Sequence, residues 1–487
     1  MIFFGRVLIM VFSSLLFLFL FLPLNLLAYF FARDIRTKNT VMLVFSLIFY
    51  AWGEPLYILL LVGMTLADWY FTILLSKEEA RSKRAKLWLA AAVATNLVLL
   101  GVFKYGSFIL SNLSAAVGFP ESVPNIPLPI GISFYTFQLI TYCTDVYRGE
   151  VPVQKSFKTL LLYVSMFHQC IAGPIVRYKD ISAELQERTV TYTDIAEGLN
   201  RFVAGLAKKS LIANSCAVVA DNLLLADNPT LLSSQSVLAL WVGMLAFMLQ
   251  IYIDFSAYSD MAIGMGRMIG IHYPENFRYP YMSRSVSEFW RRWHITLGSF
   301  FRDYLYIPLG GNRKGIFRTV FNLLVVWALT GLWHGASWNF MLWGLYFFIF
   351  IAAEKLFLSR LLSKNRAASH IYLLIIVFFG WILFRFESLS DVWCVIKGLF
   401  GANGNPFSSF EAFTTVKSYV IMLIIAVLAC TPIFKNLTDR LKFGALKSRG
   451  ALAAYSVAQL IVPAILLIIS AAALVGDSYN PFLYFRF

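Results

Sequence analysis

The sequence predicts an all-α, polytopic integral membrane protein. Three observations carry that prediction: an apolar excess, a shortage of charge, and the gathering of charge into short basic links between long apolar runs. Of 487 residues, 59% are hydrophobic and only 14% charged, and the mean hydropathy is +0.70. Soluble chains run at roughly 45–50% apolar and about 25% charged. A soluble globular chain and a disordered one are both excluded. Five cysteines, sparse and odd in number, exclude a disulfide scaffold. The net charge of +15, from 41 Lys and Arg against 26 Asp and Glu, would suggest nucleic acid in a soluble chain. Here the basic residues mark cytoplasmic links instead, so the expected surroundings are a lipid bilayer and no nucleic acid.

The first apolar run, Val7 to Phe31, is long enough to cross a hydrocarbon core of ~30 Å. It lacks the short apolar segment and small-residue cleavage site of a signal peptide, so it reads as an anchor. A basic link with Arg33, Arg36 and Lys38 follows. The stretch Val41–Ser76 is too long for one span and is punctuated at Trp52-Gly53-Glu54-Pro55, which predicts a hairpin. The link Lys77–Lys86 is basic, whereas Ser111–Pro127 beyond the next run has no Lys or Arg. That asymmetry places Ser111–Pro127 outside.

Leu128–Tyr147 returns inward. Thr159–Val176 ends at Gly173-Pro174 with basic residues on both flanks, which predicts a re-entrant or interfacial element. Asn200–Ala220 carries Lys208 and Lys209 near its middle, and Asp221–Ser236 again lacks Lys and Arg. Val237–Phe255 comes back in. Arg267–Arg318 is basic without a clean span, and Phe317–Phe357 is a second overlong run, interrupted at Trp333-His334-Gly335. Ile371–Phe384, Tyr419–Phe434 and Ala454–Val475 complete about eleven to thirteen membrane segments at ~20 residues each. Both termini come out external. No gap between runs is long enough for a soluble domain, so residues 1–487 read as a single membrane domain. No internal sequence repeat of the transporter kind is seen.

Ionisable groups that persist in such a chain are candidates for function. The richest segment is Asn276–His294. From Ser287 on it reads as one amphipathic helix, with Phe289, Trp293, Leu297 and Phe300 on one stripe and Glu288, Arg291 and Arg292 off it. Ser285 and Glu288 fit a capping box. The arginines either grip lipid phosphates or form a basic mouth for a phosphate-bearing donor. Trp290 and His294, one turn apart, are expected to face together.

A second candidate is Leu329–Asn339. Apart from the phenol of Tyr346, His334 is the only ionisable side chain between Arg318 and Glu354. It reads as a general base for a hydroxyl or as a core histidine bonded to a carbonyl. The small neighbours Gly331, Gly335, Ala336 and Ser337 favour the former by leaving room beside the ring. A third candidate is Gln250–Asp260, where Asp254 and Asp260 flank Tyr258 at the expected end of a span. Polar lining or helix capping competes there with acid/base work. Gly264-Met-Gly266-Arg-Met-Ile-Gly270 misses the dinucleotide-binding spacing. Scattered His and Cys, without C-x-x-C or H-E-x-x-H, argue against a metal. The absence of G-x-S-x-G argues against a covalent serine enzyme.

Several ordered blocks carry a family resemblance. They are Pro129-Ile-Gly-Ile-Ser-Phe-Tyr-Thr-Phe137, Asp145-Val-Tyr-Arg-Gly149, Ala172-Gly-Pro-Ile175, Asp254-Phe-Ser-Ala-Tyr-Ser-Asp-Met-Ala-Ile-Gly264 and Pro274-Glu-Asn-Phe277. Phe289-Trp-Arg-Arg-Trp-His294, Phe301–Arg313 and Gly331-Leu-Trp-His334-Gly-Ala336 complete the set. Together they closely resemble the membrane-bound O-acyltransferase superfamily, specifically its bacterial alginate O-acetyltransferase branch. The resemblance runs from Leu24 to Phe386, with a signature core at about 128–345. One departure is Phe167-His168-Gln169-Cys170, where the family pattern has Phe-Pro.

The resemblance implies a helical fold around a central tunnel in the bacterial inner membrane, with His334 catalytic and His294 the second signature residue. It implies acetyl-CoA as donor substrate and an extracytoplasmic polysaccharide as acceptor, an alginate-like exopolysaccharide or another cell-envelope glycan. It also implies a separate partner with an SGNH-hydrolase-like fold. On this expectation Arg291, Arg292 and Trp290 hold the donor, Trp333 or Asn339 orients the ring or the oxyanion, and Asp254 and Tyr258 line the path. A D-alanyl transferase for teichoic acids, a transporter or flippase, and a subunit with a dead site are the competing readings.

Overall fold

In hydrocarbon every backbone N–H and C=O must find its partner within its own segment, so long apolar runs fold as helices. The computed structural model describes residues 10–118, 126–171, 173–476 and 482–483, and among them there are helices and turns but no strand. The start of the first run at Val7, the middle of the Ser111–Pro127 loop, Ala172 and most of the C-terminal tail lie outside the described residues. The described residues divide into two compact units: those up to Phe202, Ser259–Glu275 and 482–483 form one, and Val203–Tyr258 with Asn276–Gly476 the other.

The first unit opens with α1 (Phe17–Phe31), α2 (Ile35–Gly53) and α3 (Ile58–Leu75). The Trp52–Pro55 punctuation falls between α2 and α3, as the hairpin reading expects. Asp34 caps α2 by accepting from the Thr37 amide. In α4 (Lys83–Val117), Ser82 caps the start in the same way through Ala85. α5 (Ile132–Arg148) is buried on nearly every side, including Thr136, Gln138, Thr141 and Asp145. It starts from Gly131 at φ 76°, where a Cβ would run into the Cys170 carbonyl. α6 (Phe157–Ser165) has nine residues, too short to cross a bilayer, and turns follow it up to Ile171. α7 (Tyr178–Gln186) leads into α8 (Tyr192–Leu224).

The last turns of α9 (Val237–Met268) return to this unit. They cross α8 where two glycines meet: a Cβ on Gly264 would sit 2.6 Å from the Gly198 carbonyl oxygen. Small residues let helix backbones approach this closely. The glycines of the Gly264–Gly270 motif are therefore packing residues.

The second unit holds the rest of α8 and α9, then α10 (Val286–Arg292) and α11 (Ile295–Phe300). α12 (Gly315–His334), α13 (Trp338–Leu362) and α14 (Arg366–Arg385) follow, then α15 (Leu389–Leu399), α16 (Phe410–Ala429), α17 (Ile433–Ala445) and α18 (Arg449–Val475). Nine helices among the described residues are long and apolar enough to cross a membrane: α3, α4, α8, α9, α12, α13, α14, α16 and α18. The expected eleven to thirteen segments also took in α1, α2, α5 and α6, which fall outside those nine. One expectation is corrected. Asp254 and Asp260 do not end a span, because α9 continues as one helix of 32 residues to Met268.

Candidate active site

His334 is the last residue of α12, and the chain leaves it in extended form at Gly335. The turn to α13 is forced by contact. A Cβ on Gly331 would meet the Phe340 carbonyl, and one on Gly344 would meet the Trp327 carbonyl. With both positions bare, α12 and α13 pack backbone to backbone and hold His334 at the top of the hairpin. The ring is 5% exposed and walled by aromatic edges. Centroids of Trp343, Trp333 and Phe384 lie 4.8, 4.9 and 5.3 Å away.

His294 is placed differently. The expected continuous helix from Ser287 is interrupted: α10 ends at Arg292, Trp293 is extended, and His294 is left-handed at φ 43°, ψ 56°. Trp290 and His294 therefore do not face together as one helical turn would have them. The break is held by a distant segment. The Arg278 amide donates to the Arg292 carbonyl at 2.9 Å, and the Ile295 amide to the Asn276 carbonyl at 3.0 Å. The Asn276 side chain then reaches under the imidazole, with Oδ1 3.1 Å from His294 Nδ1. Phe255 lies edge-on to the ring at 4.9 Å. His294 is 2% exposed and lies outside the spanning helices; burial pulls its pKa down to about 3, so the imidazole is neutral.

Trp333 connects the two histidines, its ring 5.9 Å from His294 and 4.9 Å from His334. Trp343 connects His334 to Trp290, at 4.8 and 5.3 Å. Beside them opens a cavity of about 330 Å³ with Trp290, Arg291, His294, Arg302 and Thr330 in its wall. Thr330 lies one turn before His334 on the same helix face. Arg291 and Arg302 are exposed; Arg302 is paired with its neighbour Asp303 through contacts of 2.7 and 3.1 Å, so Arg291 supplies the net positive charge of a rim that leads to a buried imidazole. The Trp290 indole N–H in that wall has no hydrogen-bond partner among the described residues.

Other expected site residues are engaged elsewhere. Arg292 pairs with Glu288 at 2.6 Å. Ser285 caps α10 through the Glu288 amide, while Glu288 bonds the Arg284 amide, one residue before the capping-box position. Asn339 is fully buried and donates to the Leu383 carbonyl at 3.1 Å, which ties α13 to α14. Asp254 forms an ion pair with Lys209 at 2.7 Å, both side chains almost completely buried, and Tyr258 is buried one turn further along α9. In the first unit, His168 Nδ1 lies 3.2 Å from the Tyr273 hydroxyl. No cluster of three His, Cys, Asp or Glu side chains suited to a metal occurs among the described residues.

Sequence reasoning missed four contributors: Asn276, Trp343, Lys209 and Glu354. Glu354 is a buried carboxylate on α13 that accepts from the Val286 and Ser287 amides at 2.6 and 2.9 Å, so it anchors the N-terminus of α10. Lys209 and Asp254 left a usable signal, since opposite charges within two apolar helices must find partners. Asn276 stood in the Pro274–Phe277 block and at the head of the Asn276–His294 segment, but without a role of its own; Trp343 left no signal.

The model of the MBOAT, membrane-bound O-acyltransferase family, matches residues 148–392, which include both histidines and the whole cavity wall. The chain belongs to the membrane-bound O-acyltransferase family. It is 37% identical to the "Probable alginate O-acetylase AlgI" of Azotobacter vinelandii, over 98% of this chain and 100% of that one. It is 34% identical to the "Peptidoglycan O-acetyltransferase" of Helicobacter pylori, over 82% and 81%. It is 26% identical to the "Teichoic acid D-alanyltransferase" of Bacillus subtilis, over 54% and 68%. This O-acyltransferase is a multi-pass membrane enzyme, and its second unit holds a buried neutral imidazole beside a cavity with an arginine rim.

Proposed function

We propose that the chain moves an acetyl group from acetyl-CoA at the cytoplasmic face of the bacterial inner membrane toward an extracytoplasmic polysaccharide hydroxyl. His334 is the general base. The observation that supports this reading is the cavity, with exposed Arg291 on its rim, buried His294 in its wall and Thr330 one turn before His334, which itself lies outside the wall and is joined to His294 by Trp333. An acyl thioester bearing phosphates suits the cationic rim, and its apolar arm suits the tryptophan wall. The names of the Azotobacter and Helicobacter relatives support acetyl as the group and a glycan as the acceptor.

In the reaction His334 takes the proton of the acceptor hydroxyl while that oxygen attacks the thioester carbonyl carbon. The tetrahedral intermediate expels the thiolate as the C–S bond breaks, and the imidazolium returns its proton to sulfur. Trp333, against both imidazoles, holds the ring in place. The acceptor is the glycan itself or a hydroxyl of an SGNH-hydrolase-like partner that completes the transfer.

The test uses purified full-length enzyme and [14C]acetyl-CoA. His334→Ala is expected to lower acetyl transfer by about 10²–10⁴-fold with unchanged elution on size exclusion. Transfer at the wild-type rate would overturn the assignment of the base. Consumption of a D-alanyl carrier protein without turnover of acetyl-CoA would overturn the donor.

A further inference from the structure

We propose that Asn276 is a positioning residue that fixes His294 as the Nδ1–H tautomer, so that the ring works through Nε2 as an acceptor. This rests on the reading above, in which His294 lies along the donor's cavity. Asn276 is fully buried, and its Oδ1 receives three contacts: the Thr296 amide at 3.3 Å, the Thr296 hydroxyl at 2.9 Å and His294 Nδ1 at 3.1 Å. A backbone N–H can only donate, so the Asn276 atom facing it is the carbonyl oxygen and not the amide nitrogen. That oxygen can only accept, so Nδ1 must carry the proton. The amide flip and the tautomer, usually a matter of choice, are here decided by the Thr296 backbone.

The surroundings keep that state. The Asn276 carbonyl also holds the Ile295 amide at 3.0 Å, so the residue that sets the tautomer also holds the left-handed turn presenting the ring. α9 contributes Phe255 to the imidazole, and its neighbour Asp254 is engaged by Lys209. α12 contributes Trp333, with His334 on that indole's other side. The charged groups sharing the cavity wall are Arg291, which disfavours protonation of His294, and Arg302, whose charge is paired with Asp303. A neutral ring donating from Nδ1 requires the substrate atom that meets Nε2 to be a hydrogen-bond donor. An amide N–H of the donor's arm and the O–H of the acceptor both qualify.

Asn276→Asp and Asn276→Leu separate this from a merely structural role. The aspartate can still accept all three bonds, whereas leucine can accept none. In purified enzyme at pH 7.5, N276L is expected to lose at least about tenfold in kcat, with N276D losing far less. A carboxylate beside Nδ1–H also raises the pKa of His294, by about 1–3 units. Burial holds the wild-type ring at about 3, so the N276D ring lies at about 4–6. Below that pKa it is charged and no longer accepts, and N276D loses rate reversibly as pH falls from 7.5 to 4 while wild type holds its rate further down. A rise in KM for acetyl-CoA alone assigns the substrate donor group to the acyl donor; a rise for the glycan alone assigns it to the acceptor.

Equal loss in both variants with an unchanged pH profile would overturn the proposal. If N276L does not fold, solid-state 15N spectra of histidine-labelled wild type decide it, with His294→Gln assigning the signal. A protonated Nε2 at neutral pH would refute the tautomer. His294→Gln turning over at the wild-type rate would remove His294 from the reaction, and the spectra would still report on Asn276.

Discussion

His334 and His294 touch the same indole, yet they are held by different kinds of structure. His334 ends a spanning helix of 20 residues and is walled by rings from α13 and α14. His294 stands in a left-handed break between helices of seven and six residues, and a segment 18 residues upstream in sequence holds it by hydrogen bonds. The first histidine is placed by packing, which is non-directional and tolerates modest volume changes. The second is placed by hydrogen bonds, which fail when a single acceptor is removed. One site thus depends on shape and the other on a polar network.

The comparison breaks most sharply at the two rings. His334→Leu is expected to lower transfer by about 10²–10⁴-fold with little change in the melting temperature, because leucine nearly keeps the packed volume among the rings of Trp333, Trp343 and Phe384. His294→Leu, also close in volume, removes one donor from the Asn276 oxygen while the Thr296 amide and hydroxyl remain. A loss of about 0.5–1.5 kcal/mol should then appear in thermal unfolding alongside the kinetic defect. If the two variants unfold at the same temperature, the distinction drawn here is wrong.

Next in size is the Lys209–Asp254 pair, which supports α9 one residue before Phe255 packs on His294. Removing one partner of a buried pair strands the other charge, at about 3–5 kcal/mol. Lys209→Met should therefore give little folded enzyme, and Lys209→Met with Asp254→Leu should restore much of it. The yield of monodisperse protein in detergent reads this directly. A double variant no better than the single would show that the pair does more than neutralise itself.

These dependencies also explain what the sequence made legible. Where a residue's position follows from local chemistry, the reading succeeded: the α2–α3 turn at Gly53-Glu54-Pro55, the hairpin break after His334, and the Ser285 cap. Where position depends on a remote partner, it failed. Nothing local in Phe289–Phe300 says that the helix stops at Arg292, because the stop is imposed by amides and carbonyls of Asn276–Arg278. Likewise Asp254 looked like the end of a span only because its neutralising partner lies on another helix. The family resemblance pointed to His294 regardless of its backbone, so the residue was found while its geometry was not.

Glycines sharpen the packing side. Gly331 sits against the Phe340 carbonyl, whereas a Cβ on Gly298, four residues after His294, would lie 3.7 Å from the Trp290 carbonyl oxygen, an ordinary contact. Gly331→Ala should cost about 1–3 kcal/mol and shift α12 against α13, moving His334 relative to Trp343 and lowering kcat. Gly298→Ala should leave the stability within about 0.5 kcal/mol of wild type. Equal tolerance at both positions would mean that the α12–α13 contact is not what sets His334.

The smallest effect separates two adjacent arginines that the sequence treats alike. Arg291 lines the cavity, while Arg292 is turned to Glu288 within its own helix. A charged group that hydrogen-bonds a donor phosphate is worth about 1.5–3 kcal/mol, so Arg291→Ala should raise the KM for acetyl-CoA about tenfold or more with kcat preserved. Arg292→Ala removes an i,i+4 pair that is more than a third exposed on one side, worth about 0.3–0.5 kcal/mol, and should barely move KM. High salt should weaken donor binding in wild type and do so less in Arg291→Ala, since a charge already removed has nothing left to screen. If Arg292→Ala instead carries the KM effect, the donor approaches along the other face of α10, and the cavity beside His294 is not its path.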